Sequence, residues 1–173
     1  FEAAVLWLLA EVARVAWRPA ALFAALTCVL LAAAGDSTIR RVGDGFEYLA
    51  MANNLSKGQP PSLTRSDFAA VATETAAHGD ASWDTMPLEW LRGPDGRYDF
   101  PHFWLYSLCA APLVAAARAL GLHPALAFTA LNLALLLGAA WLLVRARAGF
   151  VAVLLVVTLL WWTDKAHAEI FIV

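Results

Sequence analysis

Charge is scarce in this chain. Asp, Glu, Lys and Arg make up 15% of its 173 residues, where soluble domains carry about 25%. Set against 61% hydrophobic residues and a mean hydropathy of +0.64, that shortfall argues for a membrane protein. Basic charge is not in excess either. The formal net charge is -2, and no basic stripe or RNA-reading motif occurs, so nothing points to a nucleic-acid partner. Cysteine is almost missing. Cys28 and Cys109 both lie in apolar runs, without metal-ligand spacing and with no support for a disulfide between them. They read as small apolar packing residues.

What is present is a set of apolar runs with polar breaks. Residues 1–18 are apolar but carry Glu11, Arg14 and Arg18 on one helical face, which predicts a cytoplasmic or interfacial lead-in helix. Residues 19–35 form a first transmembrane candidate, at the short limit for crossing a bilayer. A signal peptide is the alternative there, because Ala32-Ala33-Ala34 resembles a cleavage site; the further apolar runs and the long lead-in weigh against it. Residues 36–101 hold ten acids and six bases, with turn signals at Pro60-Pro61, Gly93-Pro94 and Asp95-Gly96. This is a sizeable extramembrane loop with short helices at 47–55 and 66–77. Ser66-Asp67 suits a helix start, and Glu74 a solvated face.

Residues 102–120 are apolar again, but short and interrupted at Pro112. Gly121-Leu122-His123-Pro124 breaks the chain. Residues 124–144 form a second transmembrane candidate and residues 148–163 a third, with a polar segment at 164–173 after it. The chain opens on Phe1 and stops on Phe171-Ile172-Val173, inside an apolar run, so a piece of a longer membrane protein is expected. The fold class is all-α: three transmembrane helices, an interfacial juxtamembrane helix, and a large outer loop with short helices.

Two topologies follow. If residues 102–117 lie along the interface, Arg14, Arg18, Arg145 and Arg147 share one side, which the positive-inside rule makes cytoplasmic. The loop and the 164–173 segment then face outward together. If residues 102–117 cross, Arg145 and Arg147 are outside and Glu169 is separated from Asp44. The short length, Pro112 and the interface-seeking Trp104 and Tyr106 favour the first.

In that arrangement two acidic clusters meet on the outer face: Asp44 with Glu47, and Asp164, His167 with Glu169. Ionisable residues at span ends are functional candidates. Each has a plainer reading. Asp44 could cap the helix that follows it, Glu47 could lie on a solvated face, and Asp164 with Lys165 could be an interfacial ion pair worth little. His167 and Glu169, two apart, point to different faces of a helix and make a weak metal site by themselves.

The order of these features resembles a family. An in-to-out helix followed by a large outer loop opening on GDGFEYLAMANNLSKG is similar to polytopic membrane glycosyltransferases of the GT-C fold, among them aminoarabinose and arabinosyl transferases and relatives of the protein O-mannosyltransferases. DFPHFWLYSLCAAPL looks like their juxtamembrane segment. Asn132 and WWTDKAHAEIFIV match their pattern after the third helix. The Lys-Pro-Pro phosphate signature of some members is absent, and His102 stands in that neighbourhood.

The resemblance implies the amino-terminal part of an enzyme that moves sugar from a polyprenyl-phosphate donor, with inversion, at the extracytoplasmic face of a bacterial inner membrane. It implies Asp44 as general base, with Gly43 and Gly45 allowing close approach. Glu169, with His167 and Asp164, would be the second acidic motif, orienting an unknown acceptor or holding a divalent cation. Arg40, Arg41, Arg97 and His102 would be contacts to the donor phosphate, and the helix around Pro112 could floor a lipid groove. A transporter or flippase, or a non-catalytic membrane scaffold, are the competing readings; acids at span ends and the large first loop weigh against a transporter.

Overall fold

Thr64 shows how the loop is organised. Its backbone is extended (φ −113°, ψ 165°), its hydroxyl accepts from the Asp67 N–H, and the Asp67 carboxylate accepts from the Thr64 N–H. This reciprocal capping box satisfies two N–H groups that a helix start otherwise leaves without partners. The computed structural model describes residues 19–36, 44–81, 92–99 and 104–159. Within them lie six helices and no strand, which bears out the all-α expectation. They are α1 (Pro19–Asp36), α2 (Gly45–Ser56), α3 (Arg65–Ala77), α4 (Trp104–Ala119), α5 (Leu126–Arg145) and α6 (Gly149–Leu159).

The chain divides into two compact units, one of residues 1–37 and 132–163, the other of residues 38–131 and 164–173. In the first, α1 buries Leu22, Leu26 and Leu30, a stripe at four-residue spacing. α6 packs against α1 and buries Ala152, Val153, Val156 and Leu159. Gly149 sits where an added Cβ would meet Leu22 Cδ2 at 2.7 Å, so the lack of a side chain lets the two helices approach. Phe23 meets Trp141 of α5 edge-to-face at 5.1 Å. Arg147, at φ 61°, turns the chain between α5 and α6, and the Arg145 guanidinium lies over the Trp141 ring.

In the second unit, α2 is the centre. Phe46 and Tyr48 through Asn54 are buried, and α2 packs chiefly on α4 and also on α3. The α4 face that meets it is Tyr106, Ser107, Ala110, Ala111, Val114 and Ala117, again at helical spacing. The Ser107 hydroxyl donates to the Tyr48 carbonyl across the interface. Two aromatic chains fill the core. Phe46, Phe68 and Tyr98 form one, and Tyr48, Tyr106 and Phe128 the other.

Three local expectations are corrected. α3 starts at Arg65 after the Thr64 cap, not at Ser66. Pro112 does not interrupt α4, which runs through it; its ring is exposed, where it costs one intrahelical hydrogen bond while the packed face holds the helix together. Glu74 is not simply solvated: its carboxylate takes both Nε and Nη2 of Arg118 on α4, each at 2.5 Å.

Among the described residues one helix, α5, is long and apolar enough to cross a membrane; Pro19–Ala34, Trp104–Ala119 and Gly149–Leu159 are apolar but shorter. The sequence expectation of three such helices is therefore met at that length by one.

Candidate functional site

Asp44 stands immediately before α2, at the N-cap position, yet its side chain makes no capping hydrogen bond, and its backbone (φ −81°, ψ 13°) is not the extended form a side-chain cap uses. Its carbonyl accepts from the Tyr48 N–H at 3.1 Å. The capping explanation for this acid, weighed from sequence, is thus not what its geometry expresses. Glu47, one turn on, is half-buried with Oε2 fully buried, which corrects the solvated-face reading. Both carboxylates bear on Tyr48. Burial raises the phenol pKa first, and the charges of Asp44 and Glu47 raise it further. The start of α2 therefore holds two carboxylates beside a phenol kept in its neutral, proton-donating form.

Arg97 is set by a turn. Gly93 accepts from the Gly96 N–H at 3.0 Å, with Pro94 and Asp95 between them, and Gly96, the last residue of the turn, takes a positive φ of 78°, which glycine adopts without strain. The Asp95 side chain accepts from the Arg97 N–H. Tyr98 and Leu63 exchange backbone hydrogen bonds at 2.7 and 3.0 Å, and the Tyr98 hydroxyl accepts from Arg65 Nε. The Arg97 guanidinium is anchored in turn: its Nε donates to Ser62 Oγ at 2.7 Å and its Nη2 to the Ser62 carbonyl at 2.6 Å.

Beside Arg97 lies a cavity of about 260 Å³ lined by Asn54, Gln59, Pro60, Thr64, Asp67 and Arg97. Burial pushes the Asp67 carboxyl up, but the hydrogen bonds from Thr64 and from the Asn54 side chain, together with the Arg97 charge, outweigh it and hold the pKa below its ordinary value. Of this group the sequence marked Arg97 as a site candidate, Pro60 as part of a turn and Asp67 as part of a helix start. The Thr64-x-x-Asp67 spacing was the available signal for Thr64.

Another polar cluster lies at the far end of α3. His123 Nδ1 accepts from the Ala125 N–H at 3.2 Å, its Nε2 is 3.9 Å from Asp80 Oδ2, and its ring is 5.5 Å from that of His78. Among the described residues no group of three or more His, Cys, Asp and Glu is arranged to hold a metal ion.

Of the site residues expected from sequence, Asp44 and Arg97 lie in the described part of the chain, and no hydrogen bond or ion pair joins them. Arg40, Arg41, His102, Asp164, His167 and Glu169 lie outside the described residues. Comparison with protein-family models, with curated proteins and with solved structures finds no match to this chain.

Proposed function

We propose that this chain belongs to a membrane glycosyltransferase that moves a sugar from a polyprenyl-phosphate donor to an acceptor at the extracytoplasmic face, with Asp44 as general base. The observation that carries the reading is the two-sided packing of α4. One face is buried against α2, the helix that Asp44 opens. The other exposes Trp104 (50%) and Leu108 (41%), and Leu120 (73%) and Leu122 (45%) follow in the turn after it. Exposed apolar surface of this kind, on a helix of 16 residues, suits a helix lying in a lipid interface. It would hold the Asp44 end of α2 near the head-group level, where a polyprenyl phosphate presents its sugar.

Under this reading α1, α5 and α6 cross the bilayer. α5 has the required length, and Leu31, Leu142, Phe150, Val151 and Leu154 are exposed on the three helices, as lipid-facing side chains would be. The arginines near their ends, Arg145 and Arg147, would face the cytoplasm.

The chemistry follows from the acid. As the acceptor oxygen forms its bond to the anomeric carbon, Asp44 takes the hydroxyl proton. The bond from that carbon to the phosphate oxygen breaks, and the polyprenyl phosphate leaves with the electron pair. Arg40, Arg41, Arg97 and His102 are the proposed contacts for the charge gathered on that phosphate, and Asp164, His167 and Glu169 the proposed acceptor side.

The test is the full-length Asp44→Asn variant, assayed for transfer of labelled sugar beside its membrane expression. Transfer should fall by about 10²-fold or more, with insertion unchanged. Near-normal transfer by Asp44→Asn would remove Asp44 as the base. Glu47→Gln should cost much less.

A further inference from the structure

α2, α3, α4 and α5 end in the same way, but one of them with an unexpected residue. In each, two backbone N–H groups turn back onto the last helical turn: Gly58 to Leu55 and Gln59 to Asn54, Gly79 to Ala76 and Asp80 to Thr75, Gly121 to Arg118 and Leu122 to Ala117, Arg147 to Val144 and Ala148 to Leu143. This is the Schellman ending, which places one residue in the left-handed region. Gly58, Gly79 and Gly121 hold that place at φ 71°, 82° and 67°, a conformation glycine adopts without strain. After α5 the place belongs to Arg147, at φ 61°, where an L side chain is disfavoured.

Arg145, two positions earlier, is exposed like Arg147, and its guanidinium lies 5.9 Å from the Trp141 ring centroid, within cation–π range. No Asp or Glu occurs between Asp99 and Asp164, and among the described residues neither arginine meets a carboxylate. Leu142, Phe150 and Val151, on either side of the turn, are exposed apolar side chains. The carbonyls at a helix C-terminus attract cations. That accounts for Arg145 in the last turn, but it does not call for an arginine at the left-handed position beyond it.

We propose that the turn between α5 and α6 binds the headgroup of an anionic phospholipid in the cytoplasmic leaflet, with Arg145 and Arg147 on its phosphate and the acyl chains against Leu142, Phe150 and Val151. The charges are complementary, and the planar guanidinium fork matches phosphate oxygens. Two positions apart, the arginine backbones lie within about 7 Å of each other, so one headgroup can meet both. The attraction of a charged leaflet reaches only about a Debye length, roughly 8–10 Å, which a turn joining two membrane helices satisfies. The exposed apolar residues beside the arginines favour a lipid over a dissolved anion. The inference rests on α5 and α6 crossing a bilayer, as proposed above, and is independent of Asp44.

The full-length protein in neutral detergent would be titrated with phosphatidylglycerol and with phosphatidylcholine, and bound lipid counted by native mass spectrometry. Phosphatidylglycerol should bind at least about fivefold more tightly, the factor one basic residue contributes at an anionic surface; phosphatidylcholine carries the same phosphate with a cation beside it. Arg147→Gly keeps the left-handed turn and removes the charge. It should lower the preference about fivefold while the thermal midpoint stays level or rises. Arg145→Gln should lower the preference by a similar factor. Glycerol 1-phosphate, a headgroup without acyl chains, should not displace the lipid. Equal binding of the two lipids would overturn the proposal, as would an unchanged preference in Arg147→Gly or displacement by an equal concentration of glycerol 1-phosphate. If Arg147→Gly does not fold, Arg145→Gln decides alone, and unchanged preference there overturns it. Sugar transfer is not read, so these outcomes strike the inference only. A full-length chain that stays dissolved without detergent or lipid would strike the membrane reading, and the inference with it.

Discussion

Two aspartates in the loop look alike in sequence and behave differently. Asp67 is spent on Thr64, with Thr64 in the extended backbone form that a cap needs. Asp44 holds the position before a helix without the bond or the backbone form. Sequence could show that Ser, Thr and Asp crowd the start of α3, but all three cap well. Only the backbone angles of Thr64 decide which one does. Thr64→Ala should therefore destabilise the loop by about 1 kcal/mol, read as faster amide exchange along α3, while Thr64→Ser should restore most of it. Equal exchange in Thr64→Ala and the unaltered protein would mean that the box contributes nothing. Asp44→Asn, by contrast, should leave stability within about 0.5 kcal/mol, because no cap is lost. The partner of Glu74 and the burial of Glu47 were not legible from sequence. Glu74 meets an arginine 44 positions away, and a one-dimensional pattern carries no signal for that.

At the scale of elements, periodicity served better. The alternation of buried and exposed positions in α4 follows from Tyr106, Ala110, Val114 and Ala117 recurring at helical spacing. Pro112 misled because its local cost was weighed without the packed face opposite it. The break after α4 was legible: Gly121 takes a φ of 67°, a conformation glycine adopts without strain. If α4 lies in the outer interface, a nitroxide on Leu108→Cys, with Cys28 and Cys109 replaced by Ala, should sit about 5–10 Å below the head groups. The same label on Ala111→Cys, at a buried position, should be shielded from both lipid- and water-borne relaxers. A Leu108 label at the bilayer centre would show that α4 crosses.

For the whole molecule, composition alone indicated membrane association. The described residues support it with one helix of full spanning length, while positions of Asp164, His167 and Glu169 stay matters of sequence. pH offers a global readout. Burial lowers the His123 pKa below its ordinary 6.5; the neighbouring His78 lowers it too, and Asp80 and Glu74 pull the other way. A histidine depressed in the folded state contributes stability that is complete above 6.5 and is lost as pH falls below it, because the unfolded chain takes up the proton first. The thermal midpoint should thus drop between pH 7 and pH 5.5 more in the unaltered protein than in His123→Asn, whose side-chain oxygen can still accept from the Ala125 N–H. An equal drop in both would remove His123 as the cause.

The most direct measurement is sugar transfer by the full-length protein in sealed membrane vesicles of known orientation. Labelled polyprenyl-phosphate sugar is supplied in the bilayer, and acceptor extracts are supplied only from outside. We expect transfer in right-side-out vesicles, little in inverted ones, and a loss of about 10²-fold or more with Asp44→Asn in the same vesicles. Absence of transfer in both orientations, or equal transfer by the Asp44→Asn protein, would contradict a glycosyltransferase that works from Asp44 at the outer face.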